Sequence, residues 1–338
     1  MNKSIQDTFD AISAVFTDIN RKDKSFELTN TLSKKLTQQE LVGDFYKTAI
    51  LNYRGYISGE KKVKSNLYTE RIAQSILEHD LLTAWNCLMP VRTNHFAPEH
   101  DKICESILST NRKEEILAKL LYRQGDVAGL GSILDYQTPL KNKRSDSFGK
   151  IDLLSYNDMD NLISIVELKY TPTGSNETLL RCILEAYTYY KVFKLDQGKQ
   201  KLNDRKQQAI LIDSQAELVV LFDEGVFTKN EKGYEKNLIV SLDDNGNVVY
   251  PDKTIKTQQY KEIKDLGLLN EDSRLYKLCK AILKQEDMLK QIRFLMLKRS
   301  GTQTANRLRD KDDNDSVEYY EMMLAQNEIG RASCRERV

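Results

Sequence analysis

Two short apolar runs, joined by a turn-like segment, limit the folds open to this chain more than any other feature. The runs are IDLLSYN at 151–157 and LISIVELKY at 162–170, and both are rich in the β-branched and aromatic residues that strands favour. Between them lies Asp158-Met159-Asp160-Asn161, which has the composition of a turn. We therefore predict an antiparallel hairpin in which Asn157 faces Leu162.

Three charged side chains interrupt these strands. Asp152 lies in the first run, whereas Glu167 and Lys169 lie two positions apart in the second and so share one face of the strand. The predicted register places Asp152 opposite Glu167, where like charges destabilise a sheet unless something compensates them. A divalent cation such as Mg²⁺ would do so, and Lys169 would then hold a water or a developing negative charge. The alternative is an edge hairpin with a Lys–Glu pair on its surface.

The order of helical and strand-like segments divides the chain into regions. Residues 1–105 carry apolar stripes at helical spacing, which predict a helical core or, alternatively, a coiled coil that binds a partner. Two prolines, at 90 and 98, mark the end of this region. Residues 106–255 combine a helix, three strand-like runs, a second helix and further strands, and residues 256–327 return to a helical pattern.

The last eleven residues, EIGRASCRERV at 328–338, look foreign to the rest of the chain. They correspond to the translation of a widely used short-read sequencing adapter, so we exclude them from fold prediction, as one would an expression tag. We expect the native carboxyl end to be missing.

Composition favours a protein of the cytoplasm that binds no membrane. We expect no signal peptide and no membrane-spanning segment, and the five scattered cysteines form no CxxC pair. The 51 basic and 50 acidic residues nearly cancel, so a polyanion would have to be recognised by a local basic surface.

The three charges and their surroundings resemble the PD-(D/E)XK nuclease superfamily, whose fold is called restriction-endonuclease-like. Its signature is an Asp on the second core strand and (D/E)-x-K on the third, here Asp152, fourteen residues, then Glu167-Leu168-Lys169. The similarity covers residues 106–222. It implies an α/β fold whose core runs helix, three-stranded antiparallel meander, helix, strand, with helical N- and C-terminal additions.

This resemblance also implies an activity, namely Mg²⁺-dependent hydrolysis of phosphodiester bonds in nucleic acid. DNA is the favoured substrate, Mn²⁺ a substitute metal, and defence against foreign DNA a role suggested by analogy. The metal would be held by Asp152, Glu167 and the backbone carbonyl of Leu168, and Lys169 would position the attacking water. One alternative is a catalytically inactive nuclease-fold protein acting in nucleic-acid binding or protein assembly, and another is a helical scaffold whose hairpin is incidental.

Many members of the superfamily carry further site residues, for which this chain offers candidates. A Glu on the helix before the first strand would be Glu115, or else Glu114. Several members place Gln-x-x-x-Tyr on the helix after the third strand, where this chain has Glu185-Ala-Tyr-Thr-Tyr189, so the Tyr matches and the Gln does not. Because Glu177, Arg181 and Glu185 are spaced four apart, a solvated ion-pair stripe is the alternative reading of Glu185.

Basic residues before the second strand are candidates for contacts with nucleic-acid phosphates, namely Lys141, Lys143 and Arg144. A solvated charged face is the alternative. The helical regions are the candidate surfaces for a homodimer or a partner protein.

Overall fold

Helices dominate the first part of the chain, and strands follow. The computed structural model describes residues 4–19, 32, 34–89, 113–127, 129–140, 149–169, 177–193, 213–223, 228–229, 235–236, 241–242, 248–249, 257–299 and 320–330. The helices are α1 (Ile5–Ile19), α2 (Gln38–Phe45), α3 (Tyr68–Glu78), α4 (Lys113–Gln124), α5 (Leu179–Phe193), α6 (Gln258–Tyr260) and α7 (Arg274–Gln285). Short 3₁₀ helices span Ala49–Asn52, Lys64–Asn66 and Leu81–Cys87, and a π-helical turn spans Lys261–Asp265.

The strands are β1 (Asp126–Val127), β2 (Gly131–Pro139), β3 (Lys150–Asn157), β4 (Leu162–Lys169), β5 (Gln215–Asp223), β6 (Thr228–Lys229), β7 (Glu235–Lys236), β8 (Ser241–Leu242), β9 (Val248–Val249), β10 (Leu289–Arg299) and β11 (Tyr320–Gly330). Within the described residues, seven of them form one sheet in the order β1-β2-β3-β4-β5-β10-β11. The predicted α/β class is confirmed.

The sheet combines both kinds of strand pairing. Strands β2, β3 and β4 form an antiparallel meander, while β5 pairs parallel with both β4 and β10. Helix α5 connects β4 to β5, as a parallel pair requires a crossover. The observed order α4, β2, β3, β4, α5, β5 positions the ends of β3 and β4 beside α5.

Apolar side chains cover both faces of the sheet. One face joins α5, α7 and the amino-terminal helices in a single large core, which includes Trp85, Tyr187 and Phe294. The other face packs on α4 through a smaller core that includes Leu117 and Leu121. The stripe predicted for α1 is buried from Ala11 to Ile19, so it belongs to the protein's own core.

The prediction of a wholly helical region at 256–327 is wrong. Helices α6 and α7 are present, but β10 then enters the sheet between β5 and β11. Its residues Ile292, Phe294 and Leu295 are all buried, because both faces of a central strand are covered. Such a strand lacks the alternation of apolar and polar residues by which a strand is recognised in a sequence. The last three residues of β11, 328–330, belong to the tail that we excluded from fold prediction.

Two further findings concern the chain as a whole. None of the described helices is long and apolar enough to cross a membrane. The boundary predicted at Pro90 and Pro98 lies outside the residues that the structure describes.

Candidate functional site

The β3–β4 hairpin has the predicted register. Asn157 pairs with Leu162, and the pairing continues to Leu153 and Val166, so Asp152 and Glu167 are the next residues along the two strands. The half-buried carboxylate of Asp152 accepts a hydrogen bond of 2.9 Å from the backbone N–H of Leu168. The hairpin therefore brings the aspartate to the strand that carries Glu167 and Lys169.

Gln137 on β2 holds the other oxygen of Asp152. Its amide nitrogen donates to Asp152 Oδ1 at 2.7 Å, and its backbone has a φ of 49°, which is uncommon for a residue other than glycine. Burial raises the pKa of Asp152 to about 7, although Lys169 opposes the shift. Both oxygens of this aspartate thus have a partner within the protein.

Lys169 lies among three glutamates. Its side chain and that of Glu167 project from the same face of β4 and are buried, with 6% and 2% of their surfaces exposed. The Lys169 ammonium contacts Glu167 Oε1 directly, lies 2.8 Å from Glu177 Oε2 and lies 3.9 Å from Glu185 Oε2. Two of these glutamates come from outside the hairpin: Glu177 lies just before α5, and Glu185 lies within α5.

The first turn of α5 is held by a capping side chain and by hydrogen bonds to two other parts of the chain. Thr178 caps the helix by accepting from the N–H of Arg181, and its hydroxyl donates to the carbonyl of Leu51. The carboxylate of Glu262 accepts from the N–H of Leu179 at 2.6 Å. The start of the helix is therefore anchored by the amino-terminal helices and by the segment after α6.

The spacing of four residues places Glu177, Arg181 and Glu185 on one side of this segment. Arg181 Nε lies 3.0 Å from Glu177 Oε1 and 4.0 Å from Glu185 Oε2. The ion pairs of the predicted stripe are present, but the stripe is not simply solvated, because Glu185 is only 9% exposed and its carboxylate faces Lys169.

The three glutamates could hold a metal ion. One carboxylate oxygen from each of Glu167, Glu177 and Glu185 lies within 4.8 Å of the others. Glu167 Oε2 and Glu185 Oε2 are buried and have no hydrogen-bond partner among the residues that the structure describes. A buried carboxylate oxygen without a hydrogen-bond partner is costly, so the donor set fits a cation that takes oxygen ligands.

The charges of the cluster shift one another's pKa. Burial and the neighbouring Glu185 raise the pKa of Glu167 well above its ordinary value. Burial lowers the pKa of Lys169, but the charges of Glu167, Glu185 and Glu177 outweigh it and hold that pKa well above the usual range. Burial also raises the pKa of Glu177, yet Lys169 and Arg181 bring it below its ordinary value. Lys169 is therefore a protonated donor.

Of the other residues predicted for the site, some lie near Lys169 and its three glutamates and others do not. Tyr189 donates to Glu185 Oε1 at 2.7 Å, so the tyrosine of the Glu-x-x-x-Tyr segment does join the site. Glu115 instead pairs with Lys119 at 3.1 Å, whereas Glu114 acts on Asp152 by helping to raise its pKa. The candidate phosphate-binding residues Lys141, Lys143 and Arg144 lie outside the described part of the chain.

Sequence reasoning missed two residues of this neighbourhood and undervalued a third. No local pattern marks Gln137 as the partner of Asp152, or Tyr46 as a neighbour of Tyr189 at 3.2 Å between hydroxyl oxygens. Glu177 did carry a signal, the spacing of four to Arg181, but that spacing gives no indication of which surface the helix face covers.

Comparison of the chain with protein-family models, with curated proteins and with solved structures finds no match in any of the three. The function must therefore be inferred from the residues of the site.

Proposed function

We propose that the chain is a metal-dependent nuclease of the PD-(D/E)XK type that hydrolyses phosphodiester bonds, with DNA as the favoured substrate. The observation that carries the proposal is the buried Lys169 among three glutamates, two of which, Glu167 and Glu185, keep a buried carboxylate oxygen without a hydrogen-bond partner. An ion-pair cluster that served stability alone would be expected to satisfy its buried oxygens, because buried polar groups almost always find partners.

Glu167 is the first candidate to hold the metal, since its Oε2 is unpartnered and buried. Asp152 and the Leu168 carbonyl complete the set that the resemblance implies, and Glu185 offers a further oxygen. Mg²⁺, or Mn²⁺ in its place, would supply a water of lowered pKa and would neutralise charge on the phosphoryl group.

The chain's own groups have separate roles in this proposal. Lys169, held protonated by its neighbours, would donate hydrogen bonds to the attacking water or to a phosphate oxygen as negative charge develops there. Gln137 holds the Asp152 carboxylate in place from the neighbouring strand. Arg181, next to Glu177, is placed to draw a phosphate oxygen toward the glutamates.

The surrounding fold supports the same proposal. The order of α4, the β2–β4 meander, α5 and β5 is the order that the resemblance implies for a restriction-endonuclease-like core. A cytoplasmic enzyme acting against foreign DNA would fit this assignment by analogy with stand-alone members of the superfamily.

A second candidate is an inactive nuclease-fold protein that binds nucleic acid or assembles with a partner. The observation in its favour is that Lys169 is already paired with Glu167 and Glu177, so the cluster is partly neutralised by the protein's own cations. A helical scaffold with an incidental hairpin is excluded by the sheet itself.

The discriminating experiment is a cleavage assay on plasmid, oligonucleotide and RNA substrates, with Mg²⁺ and with chelator. Wild type is compared with Asp152→Ala and Lys169→Ala, and Lys64→Ala serves as control because Lys64 pairs with the exposed Asp272 away from the cluster. We expect Mg²⁺-dependent cleavage by wild type and the control, reduced about 100-fold or more in the two site variants. Equal cleavage by all four proteins, or none with any substrate, would refute the nuclease, and binding without cleavage would favour the second candidate.

A further inference from the structure

Tyr46 reaches the candidate site from outside the nuclease-like part of the chain. It follows α2 in the amino-terminal helices, is 2% exposed, and its hydroxyl oxygen lies 3.2 Å from that of Tyr189. The two rings pack edge to face, with centroids 5.8 Å apart and an interplanar angle of 78°. A residue of the first helical region is thus in contact with the residue that holds Glu185.

The hydrogen bonds between these groups run in one direction. Tyr189 has a single hydroxyl proton and donates it to Glu185 Oε1 at 2.7 Å. Tyr46 must therefore be the donor in the bond between the two hydroxyls. A tyrosine hydroxyl ordinarily carries its proton at neutral pH, so each of the two can donate one hydrogen bond. A chain of two donors ends on one oxygen of Glu185.

We infer that Tyr46 is a positioning residue, which acts through Tyr189 to hold Glu185 for a divalent cation. The inference rests on the proposed function, because it assigns the amino-terminal helices a part in the same metal site. With Oε1 fixed by Tyr189, Glu185 Oε2 has no hydrogen-bond partner and faces Lys169, Arg181 and the other two glutamates. This second oxygen is the one that a cation bound among the three glutamates would take.

The surroundings restrict the movement of both rings. The Lys47 ammonium lies 5.4 Å from the centre of the Tyr46 ring, and Lys47 also pairs with Asp44 of α2 at 2.9 Å. Tyr189 also packs against Gly149, where an added Cβ would lie 3.0 Å from Tyr189 Cζ and closer still to its hydroxyl oxygen. Tyr189 is therefore in contact with both Tyr46 and the residue that precedes β3.

Calorimetric titration of the full chain with Mn²⁺ tests this role. Outer partners of metal ligands change affinity by about 10-fold or more, so we expect about 10-fold weaker binding in Tyr189→Phe. Tyr46→Phe removes one hydrogen bond further from the ligand and should weaken binding about 2- to 10-fold. Tyr68→Phe removes a hydroxyl from α3 in the same helical region and should bind Mn²⁺ as wild type does.

Two further measurements separate positioning from packing. The electron paramagnetic resonance spectrum of bound Mn²⁺ should differ between wild type and Tyr46→Phe at saturation, because ligand geometry determines its shape. The effect of Tyr46→Phe should also disappear in the Tyr189→Phe background, where the chain of donors is already broken.

Wild-type affinity in Tyr46→Phe, or an equal loss in both backgrounds, would overturn the inference while the proposed function stands. Absence of Mn²⁺ binding by the wild-type protein would overturn both.

Discussion

Replacing Gly149 by alanine should destabilise the protein by displacing Tyr189. The new Cβ would lie 3.0 Å from Tyr189 Cζ and closer to its hydroxyl oxygen, so one of the two groups has to move. Tyr189 is buried and hydrogen-bonded to Glu185 and Tyr46, so a movement of the ring would disturb both hydrogen bonds. Overpacking of this kind costs about 1–3 kcal/mol, and the usual gain of about 0.4–1 kcal/mol from removing a glycine offsets only part of it. We expect a net loss of about 1–2 kcal/mol in the free energy of unfolding.

Urea unfolding of wild type, Gly149→Ala, Tyr189→Phe and the double variant measures this cost as a thermodynamic cycle. Phenylalanine lacks the hydroxyl oxygen, which is the atom nearest the added Cβ, so Gly149→Ala should cost less in that background, with a coupling of about 0.5–1 kcal/mol. A Gly149→Ala protein as stable as wild type would refute the predicted contact. An equal cost in both backgrounds would show that the strain arises elsewhere.

Three further predictions concern the sheet and its flanks. Arg293→Met should lower the free energy of unfolding by about 3–5 kcal/mol, because Arg293 Nε donates to the fully buried Glu217 at 2.7 Å and the substitution leaves that carboxylate without its cation. Urea unfolding measures the loss, and adding Glu217→Leu should recover part of it. A loss below about 1 kcal/mol would contradict the buried pair. Burial raises the pKa of Glu262 from 4.5 to about 7, so the folded state keeps this proton to a higher pH than the unfolded state does. As the pH rises from 4.5 to about 7, the free energy of unfolding should fall by up to about 3 kcal/mol, and above that range it should level off. Glu262→Gln should lose that slope, and an unchanged profile would contradict the shift. Gln137→Ala should be about 1 kcal/mol less stable than Gln137→Gly. Both variants lose the amide that donates to Asp152, but only alanine keeps a side chain on a backbone with positive φ, which glycine adopts without strain. Equal stabilities would count against backbone strain at this position.

The hairpin could be predicted because its determinants are local. The short turn and the period of two fix which residues of β3 and β4 face one another, and the observed pairs from Asn157–Leu162 to Leu153–Val166 are those predicted. The approach of Asp152 to the backbone of Leu168 follows from the same register. One hairpin thus accounts for the positions of the three charged residues on which the candidate site was first predicted.

The remaining parts of the site depend on contacts distant in sequence. The spacing of Glu177 and Glu185 predicts that they lie on one side of the same segment, but only the packing of α5 on the sheet brings both carboxylates to Lys169. Tyr46 is 143 residues from Tyr189, and its hydroxyl gives no signal in the sequence. The left-handed backbone of Gln137 within β2 likewise has no local sequence pattern behind it.

The carboxyl-terminal strands were missed for a related reason. Strand β10 carries a nearly continuous apolar run flanked by charges, and such a run does not distinguish a central strand from a buried helix. Its place beside β5 is fixed by tertiary contacts, including the bond of Arg293 to Glu217 on β5. The sequence pattern thus shows that β10 is apolar, but it does not show which strand β10 pairs with.

The central claim, that the buried glutamates hold a divalent cation, is tested most directly by anomalous diffraction from crystals grown with Mn²⁺. We predict an anomalous peak at ligand distance from Glu167 Oε2, with a further oxygen from Asp152 or Glu185, and loss of that peak in Glu167→Gln. A wild-type crystal saturated with Mn²⁺ that shows no peak beside Glu167, or only peaks on exposed carboxylates, would contradict the claim.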